Sequence, residues 1–161
     1  MKLSVVLPAY NEEGSIEETL RTLYAKLLEE KIDHEIVVVN DNSKDNTIGI
    51  LTKIQQAIPT LVVYTNYGPN GFGYAIRYGL ERFQGDCVAI MMADLSDDPS
   101  DLIIFYKAHQ NQYGLNRIML SSTFYCTTNA LPHVLFLQYK GPLVPNNHWP
   151  FYYKIHLYCA D

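Results

Sequence analysis

Leu3-Ser-Val-Val-Leu-Pro-Ala-Tyr-Asn-Glu-Glu-Gly-Ser-Ile-Glu-Glu18 decides the fold class. Residues 3–8 are a short apolar run closed by proline, the pattern of a strand buried on both faces. Ser15-Ile-Glu-Glu18 has the spacing of a capping box, with an acid in the first turn of a helix. Ile16, Leu20, Leu23 and Leu27 then recur at helical spacing. A strand without a polar face, feeding directly into an amphipathic helix, is the unit from which parallel sheets are built.

The unit repeats downstream. Residues 35–40, Glu-Ile-Val-Val-Val-Asn, read as a second buried strand. Asp45 is placed to cap a helix with Ile48, Leu51, Ile54 and Ile58 on one side. Residues 61–65 read as a third strand, the glycine-rich stretch 68–73 as a turn, and residues 74–83 as a helix. Residues 87–92 read as a fourth strand that ends in the acidic turn 93–98. Pro99 suits the first turn of a helix running to about residue 113. The expected architecture is α/β, a three-layer, mainly parallel sheet with helices on both faces. In such sheets ligands bind beyond the carboxyl ends of the strands, and that is where the polar residues of this chain collect.

At those ends, Glu12 and Asp41 are acceptor-only groups when ionised, suited to ribose hydroxyls and a base N–H. The competing reading makes them helix caps or solvent-exposed side chains. Asp45 and Thr47 read as structural. Asn70-Gly-Phe-Gly73 lets backbone approach a ligand closely, with Arg77 one turn into the next helix, so an anion can rest on the amides there. Asp94, Asp97 and Asp98 crowd one turn, and like charges that close repel. A hard cation, magnesium or manganese, would relieve them while keeping positions open for phosphates. Asp98 or Asp97 equally suits a cap for the helix after Pro99.

Composition sets outer limits. The chain has 161 residues and a net charge of -5, so binding nucleic acid through phosphate neutralisation is not expected. No run of about 18 apolar residues occurs, and the start lacks a signal-peptide pattern, which predicts a cytoplasmic chain. Cys87, Cys126 and Cys159 have neither metal-ligand spacing nor the number a disulfide scaffold needs. The charge is unevenly spread. Residues 1–114 hold 16 of the 17 acids, whereas residues 115–161 hold Asp161 alone together with four of the eight prolines.

Three stretches taken in order, Val5-Val-Leu-Pro-Ala-Tyr-Asn-Glu-Glu13, Val39-Asn-Asp-Asn-Ser-Lys-Asp-Asn-Thr47 and Met92-Ala-Asp-Leu-Ser-Asp-Asp-Pro99, resemble the family-2 glycosyltransferases, in the branch similar to dolichyl-phosphate mannose synthase. The resemblance covers residues 1–114. It implies the GT-A nucleotide-sugar-binding fold and an inverting transfer from a nucleoside-diphosphate sugar. The implied acceptor is a polyprenyl phosphate, which would put the chain peripherally at a membrane surface. By the same resemblance Pro8, Ala9, Tyr10 and Glu12 match the nucleoside-binding segment, Asp41 the acid that reads the base, and Asp94 the last acid of the D-x-D metal motif. Asn70, Gly71 and Arg77 join them as donor-binding residues, with Arg77 and the cation stabilising the departing diphosphate. The chain departs from the pattern at Asn40, where many members carry an acid. It departs again at Met92, whose thioether is a poor ligand for a hard cation where the first acid of D-x-D belongs. Ser96 and Asp97 are the residues that would complete a magnesium or manganese site with Asp94. No general base is identifiable.

Residues 115–161 show neither helical period nor strand alternation. Three readings compete: a replacement segment packed on the sheet, a tail read out of frame or from a truncated gene, and a partner- or membrane-contacting extension. The second is favoured, and it predicts poor order there and a C-terminally incomplete domain. The leading functional reading is a glycosyltransferase. Its rivals are a truncated, non-catalytic nucleotide-sugar-binding module and an unrelated doubly wound domain.

Overall fold

The computed structural model describes residues 1–113. The expectation for residues 115–161 lies outside the described residues. Eight elements alternate along the chain: β1 (Leu3–Ala9), α1 (Ile16–Glu29), β2 (His34–Asn40), α2 (Thr47–Ile54), β3 (Leu61–Thr65), α3 (Phe72–Leu80), β4 (Cys87–Ile90) and α4 (Pro99–Tyr113). The strands form one sheet in the order β3-β2-β1-β4, and every pair in it is parallel. The expected α/β architecture with a parallel sheet is present.

Strand period explains the layers. Leu3, Val5, Leu7 and Ala9 of β1, with Ile36 and Val38 of β2 and Cys87 and Ala89 of β4, bury against α1, α2 and α4. The alternate residues Val6, Val37, Val39, Val88 and Ile90 bury on the opposite face against Ala75 of α3, with Ile76, Tyr78 and Leu80 packed around them. Each apolar side chain fully removed from water stabilises the fold by about 1.5–3 kcal/mol, so the two filled faces of β1, β2 and β4 make this sheet the core. The change of face has a topological cause. The chain steps outward from β1 to β2 to β3, then crosses back to lay β4 on the other edge of β1. Because crossovers are right-handed, reversing the direction of travel moves the connecting helix to the other face.

α3 lies very close to the sheet, and a glycine makes this possible. A Cβ on Gly79 would stand 2.5 Å from Val6 Cγ1 and 3.2 Å from Val39 Cγ2. The helix is further held by Arg82, whose guanidinium lies 3.4 Å from the centroid of the Tyr78 ring and 5.8 Å from that of Tyr64.

Several local expectations need correction. Ser15 occupies the N-cap position of α1, but its ψ of -33° is not the extended backbone of an N-cap and its side chain caps nothing. Its hydroxyl donates instead to Glu12 Oε2 at 2.6 Å, a charge-assisted bond that replaces the capping box. α2 begins at Thr47 and ends at Ile54, before the expected Ile58. Ile58 precedes Pro59, which disfavours helical backbone, yet it remains buried in the same core. α3 begins at Phe72, two residues before the expected start, and ends at Leu80. β4 stops at Ile90 because Asp97 Oδ2 takes the Met92 N–H at 2.7 Å, ending the ladder after Met91 N–H has donated to Val6 O.

At the opposite, amino-terminal end of the strands a buried carboxylate ties three segments together. Glu35 Oε1 accepts from Ser4 Oγ and from Gln84 N–H, each at 2.5 Å, and Glu35 Oε2 pairs with Lys2 Nζ at 3.3 Å. Burial alone would raise its pKa, but the Ser4, Gln84 and Lys2 donors outweigh burial and hold it below the ordinary 4.5. A lowered folded-state pKa stabilises the fold above the unfolded value, and that contribution is lost as pH falls through the folded value. Glu35→Ala is expected to cost about 2–3 kcal/mol in denaturant unfolding, because it strands buried donors. Glu35→Gln is expected to flatten the loss of stability as pH falls below the ordinary carboxylate value of 4.5, relative to the wild-type chain.

Candidate functional site

β1 and β2 end side by side, and their loops are laced together by backbone and short polar side chains. Asn11 N–H donates to Ser43 Oγ at 3.0 Å, and Lys44 N–H donates to Asn11 Oδ1 at 2.7 Å. Glu12 N–H donates to Thr47 Oγ1 at 2.8 Å, Glu13 N–H to Asp45 Oδ2 at 3.0 Å, and Asn46 N–H to Glu13 Oε2 at 2.8 Å. Thr47 in turn donates both its N–H and its hydroxyl to Asp45 Oδ1, at 3.0 and 2.6 Å. These donors outweigh burial and lower the Asp45 pKa. Asn11 and Asn42 take left-handed backbone, φ 57° and 59°, which asparagine tolerates better than most residues. Asp45 and Thr47 therefore have the structural role expected of them, although the helix starts two residues after Asp45.

Above these strand ends lies a cavity of about 410 Å³, within the usual range for small-molecule sites. Pro8, Ala9, Tyr10, Glu12, Asp41, Asn70 and Gly71 line it, together with Phe72, Ala75 and Met92. The strand order turns around between β1 and β4, and a cavity bounded by Ala9 and Met92 sits at that switch point. Of the donor-binding residues read from sequence, the first seven surround one space. Arg77 and Asp94 are not in the lining. Arg77 is exposed and pairs with Glu81 one helical turn on, at 3.1 Å. Phe72, Ala75 and Met92 are lining residues that the sequence reading did not select. The approach of α3 places the first two, and an apolar residue at a helix start has no sequence signal that separates a cavity wall from the core.

Asp41 is the most enclosed acid of the site, with 4% of its surface exposed, so neither solvent exposure nor helix capping describes it. Its Oδ1 accepts from Asn66 Nδ2 at 2.7 Å and its Oδ2 from Gly71 N–H at 2.6 Å. Gly71 has φ 131°, a conformation that side-chain-bearing residues rarely adopt, and its amide thereby reaches the carboxylate. Glu12 carries the Ser15 bond described above. Among the described residues no lysine or arginine lines the cavity. The wall offers acceptors and aromatic rings, Tyr10 and Phe72, but nothing to neutralise a diphosphate.

The acidic turn lies beside the Met92 wall. Asp94 is exposed, and its Oδ1 accepts from Ser96 N–H at 3.0 Å and Ser96 Oγ at 2.5 Å. Leu95 between them has φ 67°. Asp97 takes the Met92 N–H, and Asp98 Oδ1 accepts from Ser100 N–H at 2.8 Å, capping α4. Among the described residues no group of three or more His, Cys, Asp or Glu side chains is arranged to hold a metal ion. Asp94 alone fits an ion that arrives on a diphosphate, because magnesium-type ions bind through one or two carboxylates plus substrate phosphates.

Comparison with known proteins points the same way. The chain is 34% identical over 104 residues to the undecaprenyl-phosphate 4-deoxy-4-formamido-L-arabinose transferase of Pseudomonas fluorescens, a match covering 62% of this chain and 30% of that one. It is also 34% identical over 99 residues to the uncharacterized glycosyltransferase YkcC of Bacillus subtilis, covering 62% and 31%. The chain thus spans about 30% of the length of these curated relatives. Among solved structures it resembles S. aureus TarS 1-349 in complex with UDP-GlcNAc, with a TM-score of 0.59 and 27% identity over 70% of this chain and 32% of that one. It resembles the mannosyltransferase PcManGT from Pyrobaculum calidifontis in complex with GDP-Man and Mn2+, with a TM-score of 0.52 and 29% identity over 57% and 27%. The parallel sheet with its flanking helices is that of the GT-A glycosyltransferases. The family model described as Glycosyl transferase family 2 matches residues 4–151, past the compositional break near residue 114. With motif order, strand topology and cavity position in agreement, the chain belongs to glycosyl transferase family 2.

Proposed function

We propose that residues 1–114 are the donor-binding unit of an enzyme that transfers a sugar, with inversion, from a nucleoside-diphosphate sugar to an acceptor such as a polyprenyl phosphate. The observation that carries this reading is the cavity in which Glu12 and Asp41 meet the Tyr10 and Phe72 rings at the strand switch point. Carboxylate acceptors there suit ribose hydroxyls and a base N–H, and the rings offer apolar faces to a base. The relatives named for undecaprenyl phosphate support an acceptor of that class. Such an acceptor would bring the chain to a membrane surface from the cytoplasmic side. No helix among the described residues is long and apolar enough to cross a membrane.

In this reading Glu12 and Asp41 bind the nucleoside, and Asn70 and Gly71 close backbone over it. The diphosphate then runs toward Asp94. A magnesium or manganese ion, when bound there, supplies positive charge to the departing diphosphate. Asp94 would hold it, with Ser96 and Asp97 beside it. Arg77 would contribute to the diphosphate only by leaving Glu81. A phosphate acceptor is already an anion, so the transfer needs alignment more than proton removal. A second reading, a nucleotide-sugar-binding module without turnover, is favoured by a cavity wall that, among the described residues, carries no lysine or arginine to stabilise a departing diphosphate.

Calorimetry on the full chain with UDP-glucose and GDP-mannose, with and without manganese, followed by sugar transfer to a polyprenyl phosphate in detergent, tests both. Binding with transfer is the expected outcome. Binding without transfer selects the module, and no binding of either donor overturns both readings. Asp41→Ala is expected to weaken donor binding by about tenfold or more. Asp94→Asn is expected to remove the manganese dependence of donor binding while sparing affinity for the nucleoside alone. Manganese dependence that survives this substitution takes Asp94 out of the site.

A further inference from the structure

Asn66 is absent from the cavity wall and belongs to none of the three sequence motifs, yet it is 3% exposed, and its backbone N–H and both polar atoms of its side chain are engaged. It is the first residue after β3. Its N–H donates to Asn40 O at 2.9 Å, extending the β2–β3 ladder by one step. Its side-chain amide donates to Asp41 Oδ1 at 2.7 Å and to Pro69 O at 2.9 Å, while its Oδ1 accepts from Gly68 N–H at 3.0 Å. One side chain therefore holds both the carboxylate of Asp41 and the turn that delivers the Gly71 amide to the other oxygen of that carboxylate.

We propose that Asn66 is the positioning residue that orients Asp41 toward the nucleobase, and so sets the strength of base recognition without touching the ligand. The inference rests on the nucleotide reading above. A buried carboxylate whose cavity is lined by no lysine or arginine among the described residues must be satisfied by donors. Asn66 and Gly71 supply one to each oxygen and lock the carboxylate plane. An ionised carboxylate has about four acceptor positions, so roughly one per oxygen remains for a ligand N–H. Freed from Asn66, the carboxylate would rotate, the 66–71 turn would loosen, and the remaining acceptors would lose their aim.

Asn66→Asp separates this role from simple support of the turn. It preserves size and an acceptor for Gly68 N–H, but it replaces the donor facing Asp41 with an oxygen. Binding of UDP, GDP and inorganic pyrophosphate to the full chain is measured by calorimetry, with thermal unfolding recorded alongside. The expected result is a loss of about tenfold or more in affinity for whichever nucleoside diphosphate the wild type prefers, with pyrophosphate affinity changed by less than about twofold. Equal losses for nucleotide and pyrophosphate, or no loss, overturn the inference while leaving the nucleotide reading intact. A wild-type chain that binds neither UDP nor GDP overturns both. Should the variant fail to fold, hydrogen exchange on the wild type gives the answer. Protection of the Asn66 side-chain amide and the Gly71 N–H is expected to rise with the nucleoside diphosphate and not with pyrophosphate. An equal response to the two ligands overturns the inference.

Discussion

The structure depends on β1 being flanked on both edges by parallel partners, β2 and β4. A parallel partner cannot be supplied by a hairpin, so each neighbour must arrive through a helical crossover. Those crossovers cover both faces of the sheet, which is why β1 is buried along its whole length from Leu3 to Ala9. The same constraint opens the site. Beyond the carboxyl ends of these two strands the chain leaves β1 toward α1 and β4 toward the acidic turn, and the cavity bounded by Ala9 and Met92 lies between those exits.

The polar residues around that space divide into two sets. Ser43, Asp45, Thr47, Asn11 and Glu13 spend their hydrogen-bonding capacity on each other's loops. They hold two strand ends in register and leave little for a ligand. Glu12 and Asp41 line the cavity instead, and each is oriented by a neighbouring side chain, Ser15 and Asn66. The acidic turn shows the same economy. Asp97 and Asp98 end a strand and start a helix, so crowding of three carboxylates is relieved largely by backbone N–H groups. Asp94, exposed and beside the Met92 wall, is the acid most available to an ion. Cys87 stands apart from this chemistry, since burial, aided by Asp86, pushes its thiol up to about 12.

Much of this was legible in residue order. Two-faced apolar runs reported the strands, because a parallel strand has no polar face to show. Short-range signals were less secure. The Ser15–Glu18 spacing suggested a capping box, but a carboxylate from the preceding loop, Glu12, took the serine hydroxyl. Arg77 looked placed for an anion, but one helical turn brings Glu81 against it. In each case the competing partner is itself nearby in sequence, and only the backbone path decides which of two neighbours a side chain meets.

Sequence by itself determined the element order, the parallel sheet and the loops that carry the chemistry, since burial period and turn residues are local properties of the chain. Tertiary structure decided which polar residues share one cavity, that α3 closes its far wall through Gly79, and that Asn66 stands behind Asp41. Those are contacts between residues 25 or more positions apart. Their geometry is set by strand order and helix approach, and no periodicity along a single chain encodes it.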